Sequence, residues 1–393
     1  MNNFWEIVKF EYRKLFGRKM VWLTLGVCIA VIVAACCGSM FGDCIVDGRY
    51  YDSNYNVLKK DIENARALSG RALDDELIGE AQNAYEKAEP SDMISYMNDA
   101  RPYIEIYRIV NNISDETVTN AQQFYTAREK LLTVFWRREN LTKGETEWLK
   151  AREEALSKPF IYEYSSGWHR IALMGYTVAL VMAFIVGICV PPVFTEEYLQ
   201  RTAQVNFCAK NGKGKLYLAK VFTAVSFSMA ADLVLAAVTF VSTLLIYGTD
   251  GFDAQIQLLM PMCSLSMTVG ECAVIVLGMS FFAALFYCVM AMLLAECSKN
   301  SIVPLGTIIG SILILNMISV PDNLRVLSQL YNCIPQQLAS FSGMRSNKLF
   351  YLFGTYFTRQ QVVPFFYLII CVAALIVCRR VYLSYQVGKS LRK

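Results

Sequence analysis

The sequence predicts an all-α membrane protein: six transmembrane helices, an amphipathic helix ahead of the first, and a helical domain outside the membrane. Three observations predict it. The 393 residues are 55% hydrophobic and 18% charged, whereas a soluble domain carries roughly 25% charged residues. The apolar residues gather in six blocks, each near the ~20 residues needed to cross a ~30 Å hydrocarbon core. A stretch of helical rather than alternating periodicity separates the first two blocks.

In residues 1–20, Phe4, Val8, Tyr12 and Leu15 recur at helical spacing, with Glu6, Lys9 and Arg13 on another side. Such a helix, with Trp5 and Phe16 at its boundary, is expected in the inner headgroup layer; an ordinary positive flank that only fixes topology is the alternative. The first apolar block, 21–41, exceeds the ~7–15 residue core of a secretory signal and reads as a retained span. Residues 42–169 form the outer domain. Leu73, Leu77, Ala81, Ala84 and Ala88 make one helical stripe, and Val57, Leu58, Ile62, Ala65 and Leu68 an earlier one. Pro90 ends that run, with Ser91 and Asp92 suited to cap the next helix. Ala121, Phe124, Leu131 and Phe135 mark a further helix, and Trp148, Ala151 and Ala155 a shorter one. Stripes of this kind pack on each other in a hairpin or small bundle. The Asn112 and Asn140 glycosylation triplets are of a kind that arises often by chance.

The remaining spans are placed at 170–193, 217–247, 264–295, 301–320 and 362–382, with an inner loop at 194–216, an outer loop at 321–361 and a tail at 383–393. With the N-terminus inside, the inner flanks hold 16 Lys and Arg and the short outer loops four, so both ends are cytoplasmic by the positive-inside rule. Residues 42–170 carry 17 Lys and Arg against 23 Asp and Glu, and the rest 20 against 10. The basic residues cluster at membrane edges, which disfavours a nucleic-acid partner. No cysteine falls between Cys44 and Cys189, so the outer domain is expected to have no internal disulfide.

The inner loop reads Phe194-Thr-Glu-Glu-Tyr-Leu-Gln-Arg-Thr-Ala, then Lys210-Asn-Gly-Lys-Gly-Lys, then Leu216-Tyr-Leu-Ala-Lys220. It resembles the first cytoplasmic loop of type-2 ATP-binding-cassette transporter permeases, the exporter-type membrane subunits. That family shows an acidic residue four before a Gly-Thr pair, then a helix, then a basic residue seven before a Lys. Glu197, Thr202, Lys213 and Lys220 match these positions, and Arg201 stands where the family has Gly. The first helix resembles the family's elbow helix. Six spans with both ends inside agree with it, as do Pro335 between the last two spans and a large insert after the first.

The resemblance implies a permease subunit of an exporter in a bacterial cytoplasmic membrane. It would pair with a second permease subunit and with two cytoplasmic ATPase subunits, which bind the ATP and Mg. Phe194, Glu196, Glu197, Thr202, Lys213 and Lys220 would be its coupling residues. Physically, Glu196 and Glu197 come just after the span end at Pro191-Pro192 and are expected as exposed charges of the loop, where a short helix lying across the membrane plane could dock in a groove of an ATPase subunit; a topology signal alone is the alternative. The lysines are suited to an ATPase or to anionic lipid headgroups, at about 1 kcal/mol per charge.

Catalytic signals are missing. There is no Gly-x4-Gly-Lys-Ser/Thr phosphate loop, so no cofactor is expected in this chain. His169 is the single histidine, which excludes a His-Glu-x-x-His metal site. Two carboxylates, Asp232 in span three and Glu271 at the outer part of span four, are pathway candidates, because ionisable groups at depth cost several kcal/mol. A hydrogen bond to a neighbouring helix accounts equally for Asp232, and an interfacial position for Glu271. A second class of function is also compatible: a non-transporting sensor whose outer domain recognises a peptide or envelope partner.

Overall fold

In a computed structural model of the chain, residues 2–385 are described apart from 43, 47–48, 52, 88–99, 115–116, 203–212 and 346. Helix α1 (Asn2–Phe16) leads into α2 (Lys19–Cys37). The outer domain comes next: the hairpin β1 (Cys44–Val46) and β2 (Arg49–Tyr51), α3 (Tyr55–Ala67), β3 (Arg71–Ala72), α4 (Asp75–Lys87), α5 (Arg101–Asn111), α6 (Ala121–Arg138), α7 (Lys143–Glu154) and β4 (Ile161–Tyr162), which pairs antiparallel with β3. The chain returns through α8 (Ser166–Cys189), α9 (Pro191–Leu199), α10 (Gly214–Tyr247), α11 (Val269–Ser298) and α12 (Ile302–Met317). Short helices α13 (Arg325–Asn332) and α14 (Pro335–Leu338) and the hairpin β5 (Phe350–Leu352) and β6 (Thr355–Phe357) precede α15 (Arg359–Ser384).

Five helical runs are long and apolar enough to cross a membrane: Lys19–Met40, Ser166–Leu199, Gly214–Tyr247, Val269–Ser298 and Arg359–Ser384. The chain is a multi-pass, mostly helical membrane protein. The expected span at 301–320 is shorter than predicted, because α12 has 16 residues. That is about 24 Å at 1.5 Å per residue, below a full crossing. Ile318 then leaves the helix with φ −86 and ψ 119.

Helix α8 is the centre of the bundle. Ala179, Met182, Val186 and other residues of its faces are buried against α2, α10, α11 and α12. At the α8–α11 crossing a Cβ on Gly175 would stand 2.0 Å from a Val276 methyl, so only glycine admits that approach. Pro191 and Pro192 interrupt the ladder after Cys189, and the helix restarts with them in its first turn. Other boundaries also shift. Residues 264–268 lie outside α11, and α15 runs from Arg359 through Arg379 and Arg380.

The outer domain has the predicted stripes on α3 and α4, and Leu73, Leu77, Ala81 and Phe124 lie in one core. The stripes predicted for α6 and α7 are corrected: α6 buries Phe124, Arg128, Leu132 and Trp136, with Leu131 and Phe135 only half-buried, and α7 buries Glu145, Leu149 and Glu153, with Ala151 and Ala155 exposed. Apolar spacing does not register these faces because Arg128, Glu145 and Glu153 are buried in ion pairs. Ala88, Pro90, Ser91 and Asp92 lie outside the described residues. Two further features differ from expectation. Helix α5 was not visible in the sequence, because Ile104 and Ile106 are both buried and read as alternation. The domain core also includes Leu258 from the α10–α11 connection, so the domain is closed partly by the loop beneath it. Asn140 sits at φ 53 and donates its amide to Asn323 O at 3.1 Å.

Candidate functional site

Both α1 and the last described residue, Tyr385, lie at the end of the bundle opposite the outer domain. There α9 is the hub. Its Val190–Pro191–Pro192 start continues directly from α8, and its nine residues carry Phe194, Glu196 and Glu197 as helix, not as loop. Phe194 is fully buried, its ring edge-on to Tyr217 at 6.4 Å.

Glu196 and Glu197 are not free charges. Glu197 is 5% exposed and Lys220, from the first turns of α10, is 0% exposed. Lys220 Nζ lies 3.0 Å from Glu197 Oε1 and 3.3 Å from Glu11 Oε2, and donates to Val193 O at 2.6 Å. Lys14 Nζ closes the ring, 2.6 Å from Glu11 Oε1 and 3.3 Å from Glu197 Oε1. Burial alone would lower the Lys14 amine, but Glu11 and then Glu197 outweigh it and hold it above its usual value. Two cations and two carboxylates thus neutralise one another where single charges would be prohibitive. Arg18 pairs with Glu196 and donates to Pro192 O at 3.2 Å. The expectation of exposed coupling carboxylates is corrected: the apolar bundle buries Glu197, and Glu196 is half-buried against Arg18.

The far side of α9 is tied as well. Tyr198 OH donates to Glu296 Oε1 at 2.8 Å, and Lys299 pairs with Glu296 while lying 4.1 Å over the Tyr198 ring. Thr195 and Ser301 share a hydroxyl hydrogen bond. Lys213 Nζ donates to Leu383 O and Tyr385 O at 3.4 and 3.2 Å, a cation on the last carbonyls of α15. The helix ends in a defined stop. Arg201 N–H donates to Tyr198 O, Thr202 N–H donates to Glu197 O, and Arg201 takes φ 59. This is a Schellman motif, whose left-handed residue is ordinarily glycine. What α9 leaves uncovered is its tip, with Leu199, Gln200, Arg201 and Thr202 all exposed.

The structure brings Phe194, Glu196, Glu197, Thr202, Lys213 and Lys220 to one end of the bundle. It adds Glu11, Lys14, Arg18, Glu296 and Lys299, which sequence reasoning missed. A signal existed for Glu11: it falls on the apolar stripe with Val8 and Leu15, where a carboxylate requires a partner. Asp232 and Glu271 stand elsewhere. Asp232, 2% exposed on α10, accepts from Ser280 Oγ of α11 at 3.2 Å, an interhelical hydrogen bond. Glu271 is exposed in the first turn of α11 and forms a capping box with Thr268. Among the described residues no cluster of three metal-ligating side chains occurs. No protein-family model, no curated protein and no solved structure matches the chain.

Proposed function

We propose that the chain is the membrane-spanning permease subunit of an ATP-driven exporter. It works with a second permease subunit and with two cytoplasmic ATPase subunits that bind ATP and Mg. In this reading both termini are cytoplasmic, α1 is an interfacial elbow helix, and α12 with Ile318–Val320 completes a sixth crossing. The membrane is a bacterial cytoplasmic membrane. The observation that carries the reading is the wiring of α9. A nine-residue helix presents one uncovered tip and is joined by charged and polar contacts to α1, α10 and the α11–α12 turn.

A lever needs a free end and a stiff attachment. Closure of the ATPases pushes on Leu199–Thr202. The buried Glu197–Lys220–Glu11–Lys14 ring then carries that displacement into α1 and α10 instead of dissipating it in a flexible loop. The carboxylates act inside the lever and not at the ATPase contact, which falls to the exposed tip. The family position held here by Arg201 is a left-handed helix stop, and this supports the resemblance by giving its glycine a physical reason.

The test looks for a phosphate-loop ATPase in a neighbouring reading frame, whose absence counts against the reading, and co-expresses it with the full chain. Leu199 is 67% exposed, so Leu199→Asp should leave the yield and melting temperature of the permease unchanged. It should weaken ATPase co-purification by at least about tenfold, the scale of losing one buried apolar contact. Undiminished co-purification with undiminished coupled turnover would remove α9 from the ATPase interface.

A further inference from the structure

We propose that a polar cavity at the domain end binds a phosphate group through Arg359 and Arg345. The cavity has a volume of about 200 Å³ and lies between the end of α6, the α13–α14 turn and the first turn of α15. The inference does not depend on the transport reading.

Arg359, the first residue of α15, is 5% exposed. Its Nη1 donates to Asn332 O at 2.9 Å and its Nη2 to Gly343 O. Arg359 lines the cavity, and its buried Nε has no hydrogen-bond partner. No carboxylate among the described residues lies within ion-pair distance of it. Two carbonyl dipoles do not neutralise a guanidinium, and the α15 N-terminus adds further positive potential. A buried cation left without a counter-charge is costly. An anion in the cavity would supply one.

The rest of the lining has the same sign. Arg345 is exposed at the cavity and lies 5.3 Å over the Phe135 ring, and among the described residues it forms no ion pair. Lys348, 6% exposed, donates to Asp322 O at 2.9 Å and to Ser328 Oγ. Two acidic residues, Glu139 and Asp322, also line the space. Burial pushes the Glu139 carboxyl upward, towards its neutral form, against the opposing hydrogen bond from Asn347. Three cations thus line the cavity against two carboxyls, of which Asp322 is exposed.

Charge and size together select the ligand. A tetrahedral phosphate offers oxygens to the Arg359 Nε–H, to the Arg345 fork and to the neighbouring amides at once. A cavity of about 200 Å³ holds such a group with a few waters but no larger body. Arg359 stands three residues before the apolar run beginning at Val362, at one end of a helix long and apolar enough to cross a membrane. The phosphate can thus come from a phospholipid headgroup or from free phosphate.

The experiment takes the full chain in a phosphate-free maltoside detergent. Inorganic phosphate is titrated against chloride at constant ionic strength, read by melting temperature and by phosphorus NMR line width. A saturable stabilisation is expected. Arg345→Gln should weaken it by about tenfold or more, the worth of one charge-assisted hydrogen bond, and Arg359→Lys should weaken it further. Arg345 is exposed, so its variant folds even where the Arg359 variant does not. A second arm compares nanodiscs of phosphatidylglycerol with nanodiscs of a phosphate-free glycolipid. Stabilisation only in the former, lost in Arg345→Gln, assigns the site to a lipid headgroup. A response to neither probe, or one unchanged by Arg345→Gln, means the cavity holds water only and overturns the proposal.

Discussion

Glu197 shows how far a residue's meaning depends on its neighbours. In the sequence it is a charge just beyond an apolar block, and Ala in its place would cost little. In the structure it is one of four charges closed into a buried ring. Glu197→Ala would leave Lys220 without its nearest carboxylate, a loss of about 3 kcal/mol for a broken buried pair. It should appear as a lower melting temperature in detergent, partly restored when Lys220→Met is added; an unshifted melting temperature would contradict the buried ring. Asp61 in the outer domain behaves oppositely. Burial first, opposed by its Arg101 partner, pushes its carboxyl up to about 6 from 3.8. The folded state then prefers the protonated form, so this group's stabilisation is full below about pH 4 and is lost as pH rises through about 6. Hydrogen-exchange protection in α3 and α5, corrected for the intrinsic exchange rate at each pH, should therefore rise from pH 7 to pH 5, and Asp61→Asn should abolish that rise.

At the scale of the element, the end of α9 carries the clearest strain. Arg201 is a non-glycine residue at φ 59 in the position where a Schellman motif places glycine. A left-handed residue with a Cβ costs roughly 1 kcal/mol, so Arg201→Gly should raise the melting temperature measurably; a fall would show that the Arg201 side chain contributes more than its backbone costs. Helix α13 is unusual in another way. Its Ser328 is buried and its Arg325 binds Glu145 at 2.7 and 2.8 Å, while Val326, Leu327 and Leu330 are exposed. A short amphipathic helix with its polar side inward and its apolar side outward suits an apolar surrounding and not water.

Across the whole molecule, the outer domain is fastened to the membrane bundle instead of hanging from its two ends. Arg128, 2% exposed, pairs with Glu153 and donates to Pro261 O at 2.5 Å and to Cys263 O at 3.0 Å. Glu145 holds Arg325 and accepts from Leu349 N–H at 2.9 Å. Tyr164 OH reaches Tyr247 O at 2.9 Å. The domain thus grips the connections on the far side of α10, α11 and α15. Arg128→Met should cost about 1–3 kcal/mol, because Pro261 O and Cys263 O lose their donor and Glu153 keeps only Lys158, and it should speed hydrogen exchange across residues 256–268. Unchanged exchange there would mean that the domain and the bundle open independently.

The sequence by itself determined five of the segments apolar enough for a bilayer, the mostly helical character of the rest, and the outer-domain stripes on α3 and α4. These are local properties, set by composition and by the 3.6-residue period. The loop motif was legible only as a spacing; that Glu197, Arg201 and Thr202 form one helix stop was decided by the structure. What only the tertiary structure decided was burial and partnership. Lys220 and Glu197 are 23 positions apart, Glu11 and Lys220 are 209, and no periodicity links such pairs. Arg359 reads as an ordinary flank of a span until Asn332 and Gly343 fold over it. Charge at a membrane edge looks the same in sequence whether it meets water, lipid or another charge. The choice is made by desolvation, and desolvation depends on which distant helices close around the residue.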